Sequence, residues 1–111
     1  VTLFMSMRHF NLKPRNPMIN QYVQLQSMLY SFNNSALFLN GRLATPQSLV
    51  PHMAIALTYL STEIQTSATS KRWAYLNRCA EDYATLTKTI KDMNLYRDVM
   101  QAIANDIPSR R

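Results

Sequence analysis

Residues 51–65 read PHMAIALTYLSTEIQ, and this stretch decides the fold class. Met53, Ala56, Leu57, Leu60 and Ile64 recur at steps of three and four, which places them on one face of a helix. Ile55 and Tyr59 widen that face, and Glu63 is the only charge. A helix that is apolar over so much of its circumference belongs at the centre of a core. Pro51 has no N–H to give and is tolerated only at a helix start, so the main helix is predicted from Pro51 to about Gln65. Residues 46–50 then form a turn, with Thr45 as a cap and Pro46 directly behind it.

Toward the N-terminus, a second helix is predicted from about Pro17 to Phe32, with Asn16 as its cap. Met18, Tyr22, Leu25, Leu29 and Phe32 form a stripe with heptad-like spacing. It can serve as an interaction face or as ordinary core. Asn33 and Asn34 end this helix. Residues 35–44 carry two signals. Asn40-Gly41 between apolar runs is a hairpin turn, but the same letters read as a short helix closed by a glycine. The flanking runs are too short for an isolated hairpin, so the short helix is the expectation. Residues 1–16 read as an extended basic arm, because Pro14 and Pro17 each bias the preceding residue away from helix.

Toward the C-terminus, Thr66–Ser70 reads as a loop, with Ser70 capping a helix from Lys71 to about Met93. Leu76, Ala80, Tyr83, Thr87 and Ile90 form its predicted inner stripe, with Cys79, Leu86 and Met93 beside it. Lys71, Arg78, Glu81, Asp82, Lys88 and Asp92 take the opposite arc. Asn94 is a candidate break. Leu95, Val99 and Ile103 then continue a stripe to about Asp106, before Ile107-Pro108 stops it. Gly41 is the only glycine, and a chain so poor in glycine favours helices over sheets with many tight turns. The predicted fold is all-α: a small bundle of three to four helices with an N-terminal extended arm. Its divisions are the arm at 1–16, a helical domain at 17–107 and a basic tail at 108–111.

At 111 residues and 47% apolar content the chain is one domain that can bury its own core. Cys79 is the only cysteine, so neither an internal disulfide nor a thiolate zinc cluster is available. It reads as a small buried apolar residue, and a lone cysteine favours a reducing, intracellular and cytoplasmic setting. The longest apolar run, Met53–Leu60, is too short to span a bilayer, and Val1–Phe10 lacks the long apolar segment of a secretory signal. His9 and His52 sit in unrelated neighbourhoods, with no metal-ligand spacing. One glycine builds no phosphate loop. Cys79 with His52 is the only conceivable nucleophile–base pair, and no local sequence supports it. Glu81 and Asp82 read as part of a solvated face. No cofactor, metal or catalytic activity is expected.

Charge gives an unspecific attraction to polyanions, with only four cations spread over residues 1–62. The net charge is +6, and no Asp or Glu precedes Glu63. Candidate nucleic-acid contacts are Arg8, Lys13 and Arg15 in the arm, Arg42, the run Lys71-Arg72-Trp73, and Arg110-Arg111. Cations follow a phosphate backbone, and Trp73 adds a surface on which a base can stack. A helix-turn-helix across residues 66–70 is the less favoured arrangement, because the acids on the following helix oppose phosphate. The sequence therefore predicts a non-enzymatic, self-associating protein that contacts nucleic acid or another polyanion. Its size and composition suit a regulatory or structural protein of the phage, viral or plasmid type. The alternative is a protein–protein interaction subunit of a larger assembly, or an inhibitor of a partner enzyme. Charged residues are only 16% of the chain, with seven Met and six Tyr, and such surfaces suit protein contact.

Overall fold

The computed structural model describes residues 19–109, and side chains from Gln21 to Asn105. Four α-helices make up most of this span: α1 (Ile19–Asn34), α2 (Val50–Thr69), α3 (Trp73–Asp92) and α4 (Tyr96–Ser109). Between α1 and α2 lie two short antiparallel strands, β1 (Phe38–Leu39) and β2 (Arg42–Leu43), and a 3-10 turn at Pro46–Leu49. The all-α bundle expected from the sequence is therefore what the chain forms.

The central helix is α2, which packs against α1, α3, α4 and the 3-10 turn. The reason lies in its sequence. Val50, Met53, Ala54, Ala56, Leu57, Tyr59 and Leu60 are all buried, so the first half of α2 presents apolar groups around most of its circumference. Leu25 of α1, Cys79, Leu86 and Ile90 of α3, and Leu95 and Val99 complete one continuous core with them. Thr45 starts the run into α2 as expected. Its hydroxyl accepts from the Ser48 N–H at 3.3 Å, and its own N–H donates to Ser48 Oγ at 2.9 Å. Gln47 Nε2 donates to Asp98 Oδ2 at 3.0 Å and ties this turn to the start of α4.

Asn94 is the break between α3 and α4, and its mechanism is clear. Its φ of 65° is left-handed. The Leu95 N–H then reaches back to the Ile90 carbonyl at 3.0 Å, and the Asn94 N–H reaches the Lys91 carbonyl at 2.9 Å. This Schellman closure satisfies the last carbonyls of α3 and seats Leu95 in the core. Asparagine tolerates that backbone better than most residues.

Several boundaries differ from expectation. Residues 35–44 form the hairpin, not a short helix. Phe38 pairs with Leu43 and Leu39 with Arg42. Asn40 at φ 52° and Gly41 at φ 78° supply the two positive dihedrals of a tight two-residue turn. The objection that such a hairpin is too small fails because it is not isolated: Leu37 and Leu39 pack against the core. The Ala44 N–H also donates to the Leu37 carbonyl at 2.7 Å. Residues 66–69, expected as loop, continue α2. Thr69 Oγ1 and Ser70 Oγ donate to the carbonyls of Gln65 and Thr66 at 3.1 Å and 2.7 Å, so the hydroxyls are satisfied within the helix. Ser70 therefore closes α2 rather than opening α3, which begins at Trp73. Ile55 is exposed rather than widening the α2 core face. On α3 the fully buried row is Cys79, Leu86 and Ile90, and Leu76, Ala80, Tyr83 and Thr87 flank it half-buried. The helix is thus rotated slightly from the predicted stripe, which draws Asp82 off the open arc into a half-buried position.

Candidate nucleic-acid interface

The turn joining α2 to α3 is built by the end of α2 itself. Lys71 adopts a left-handed φ of 59°. Its N–H donates to the Ala68 carbonyl at 3.2 Å, and the Arg72 N–H donates to the Ser67 carbonyl at 2.8 Å. This is the same closure that ends α3, here on a lysine instead of an asparagine. The chain reverses within three residues, so Lys71, Arg72 and Trp73 emerge together at one corner of the bundle. All three are exposed, and Trp73 retains 57% of its surface. For a large apolar side chain that is a substantial indole face left in water.

Tyr75, one turn into α3, organises the corner. The Arg72 guanidinium carbon lies 4.7 Å from the centre of its ring, and that of Arg78 lies 5.7 Å away. Residues 72, 75 and 78 are three apart, so they form a row along the helix surface. An aromatic face attracts cations and restricts where the guanidinium groups rest. The Tyr75 hydroxyl donates to Glu63 Oε1 of α2 at 2.8 Å. Its single proton is committed there, so its oxygen accepts from the Tyr59 hydroxyl, 3.3 Å away. Tyr59, Tyr75 and Glu63 thus form a relay pinning α3 to α2 beneath the cations. Burial pushes the Tyr59 phenol up to about 12, against the lowering effect of its bond to Tyr75. Burial, then its bonds to Tyr59 and Glu63, raise Tyr75 further still.

Cys79 lies behind this relay, buried. Desolvation raises its pKa, and the carboxylates of Glu63 and Asp82 add to the rise against the opposing effects of Tyr75 and Arg78. The sulfur is held as a thiol at neutral pH, which is the inert form. Asp82 is also raised, first by desolvation and then by Glu81, while Arg78 lowers it. His52, on the first turn of α2, is half-buried. Among the described residues no group of three or more His, Cys, Asp or Glu converges as metal ligands.

Of the residues singled out from sequence, Lys71, Arg72 and Trp73 come together. Arg42 lies apart, on the hairpin that precedes α2, whereas the corner follows the end of that helix about 30 Å further on. Arg8, Lys13, Arg15, Arg110, Arg111 and Met18 fall outside the described residues. The rest of the α1 stripe faces inward: Leu25 is 1% exposed, and Tyr22, Leu29 and Phe32 pack against the core. It serves as an internal seam with α2. Sequence reasoning missed Tyr75 and Arg78 as members of the corner, although the three-residue spacing from Arg72 was the available signal. It also missed the exposed cross-strand pair Phe38 and Leu43, at 62% and 61%.

The chain matches no known protein family, no curated protein and no solved structure. Among the described residues no helix is long and apolar enough to cross a membrane.

Proposed function

We propose that the protein is a non-enzymatic, nucleic-acid-associated binding protein, and that the α2–α3 corner is its contact surface. The supporting observation is the placement of Arg72 and Arg78 over the Tyr75 ring, with Lys71 and the exposed Trp73 at the same turn. Lys88 pairs with Asp92 at 3.0 Å on the exposed side of α3. Arg72 and Arg78 rest against a half-buried aromatic residue, and guanidinium groups placed so can also pair with phosphate oxygens. The excess of +6 adds a long-range attraction that is strongest at low salt. The acid-free arm with Arg8, Lys13 and Arg15, and the Arg110-Arg111 tail, would add nonspecific contacts of the same kind.

The test is the retention of a labelled oligonucleotide by the full chain at low salt. It compares wild type with two triple variants, Lys71→Ala/Arg72→Ala/Arg78→Ala and Arg8→Ala/Lys13→Ala/Arg15→Ala. The corner variant is expected to lose most of the binding and the arm variant a smaller part. Absence of binding by the wild type at low salt would end the proposal, and undiminished binding by the corner variant would remove the corner from it.

One observation favours a second reading, a protein-interaction subunit. Phe38 and Leu43 sit directly opposite each other on the hairpin and are both exposed. Apolar pairs of this kind contribute to protein contacts. A concentration-dependent solution mass that Phe38→Ser/Leu43→Ser abolishes would support it, and a constant monomer mass would remove self-association.

A further inference from the structure

We infer that the ligand of the α2–α3 corner is single-stranded nucleic acid, held by one stacked base and a short run of phosphates. This rests on the reading of the corner as a nucleic-acid contact, and it narrows the ligand class. Three features point the same way. Trp73 is the only tryptophan, and the residue is 57% exposed at the first position of α3. An indole presented in this way can stack on a base whose face is free, which a base inside a duplex does not offer. Two residues on, Tyr75 holds the Arg72 guanidinium at 4.7 Å and that of Arg78 at 5.7 Å. Planar guanidinium groups pair with phosphate oxygens and stack on bases, so the Arg72–Tyr75–Arg78 row can take phosphates while Trp73, at the start of the same helix, takes a base.

The third feature is the size of the patch. The cations run from Lys71 to Arg78, about 10 Å of chain at helical rise. Glu81 and Asp82 follow immediately. A helix lying in a duplex groove brings phosphates near both its flanks, and these two carboxylates would meet them with like charge. A flexible single strand can touch the corner and turn away before reaching them. The contact is therefore small, with a modest salt dependence and little sequence preference.

The experiment uses the full chain and Trp73 emission as the direct reporter. The titrants are an oligothymidylate, a hairpin duplex of the same length, and inorganic polyphosphate. The oligothymidylate is expected to quench the emission and to bind about tenfold or more tightly than the duplex at low salt. Polyphosphate should compete for the cations without reproducing the quench. By anisotropy of a labelled oligothymidylate, Trp73→Ala should lose about tenfold in affinity while its helical circular dichroism stays at the wild-type level. Equal or tighter duplex binding, or full affinity in Trp73→Ala, overturns the single-strand inference and leaves the corner as a general phosphate contact. If none of the three titrants shows salt-sensitive binding, the broader reading of the corner falls as well.

Discussion

Removing one oxygen atom tests whether the polar relay under the corner holds α3 onto α2. Tyr75→Phe keeps the ring beneath Arg72 and Arg78 but deletes the hydroxyl that donates to Glu63 Oε1 at 2.8 Å. A hydrogen bond to a carboxylate contributes about 1.5–3 kcal/mol. The group is only part-buried, and water can replace some of the loss, so the lower end applies, about 1.5 kcal/mol. The Tyr59 hydroxyl also loses its acceptor, in a residue only 4% exposed. With a urea dependence of about 1.5 kcal/mol per molar, the unfolding midpoint should fall by about 1 M at unchanged slope. Tyr59→Phe should cost less, about 1 kcal/mol, because the Tyr75–Glu63 bond survives it. The double variant should fall short of the sum, since the two groups belong to one chain of bonds. A midpoint for Tyr75→Phe within about 0.2 M of wild type would refute the reasoning, because the relay would then contribute no net stability.

Other outcomes follow from the same structure. Leu57, 1% exposed at the middle of α2, should cost about 3 kcal/mol when changed to Ala, read as a lower urea midpoint or melting temperature. Lys71→Gly should stabilise the fold by about 0.5–1 kcal/mol, because it relieves a left-handed backbone at φ 59°, while the same change removes one cation from the corner. At alkaline pH, stability should fall steeply. Burial first, and then Asp82, push the Tyr22 phenol up to about 12, and burial pushes Tyr59 to about 12 as well. A raised pKa means that the folded state keeps protons the unfolded chain has released. The stabilisation is complete below pH 10, the ordinary tyrosine value, and is lost as pH rises toward 12. Unfolding followed against pH checks this, and a flat profile from pH 9.5 to about 12 would contradict it.

The helices were legible because their apolar periodicity is strong and each break has a local cause. Pro51 falls in the first turn of α2, and Asn94 ends α3 with a left-handed residue, whereas α4 runs through the expected stop at Ile107-Pro108 as far as Ser109. What escaped the sequence depended on packing or on hydroxyl chemistry. Residues 35–44 carry signals for both a helix and a hairpin, and the shortness of the flanking runs favours the helix. The choice fell to the hairpin because Leu37 and Leu39 dock on the core, a long-range fact that no window of sequence contains. Thr66 to Thr69 looked like loop by composition, yet α2 runs through them, and Ser67 is buried at 1%. At the corner, Lys71, Arg72 and Trp73 were visible as a run of letters. The row Arg72, Tyr75 and Arg78 lies within the helix expected from Lys71, but spacing alone does not say that the Tyr75 ring meets these cations as well as the core. The α1 stripe shows the opposite limit: heptad-like spacing says that a face is buried, but not whether its partner is another chain or, as here, α2.

The salt dependence of oligothymidylate binding tests the corner most directly. Three cations, Lys71, Arg72 and Arg78, each contribute about 0.7 to the slope of log affinity against log salt for a single strand. The slope of wild type should therefore be steeper than that of Lys71→Ala/Arg72→Ala/Arg78→Ala by about 2. Identical slopes for the two proteins would contradict the account, because phosphate would then be bound somewhere other than the turn between α2 and α3.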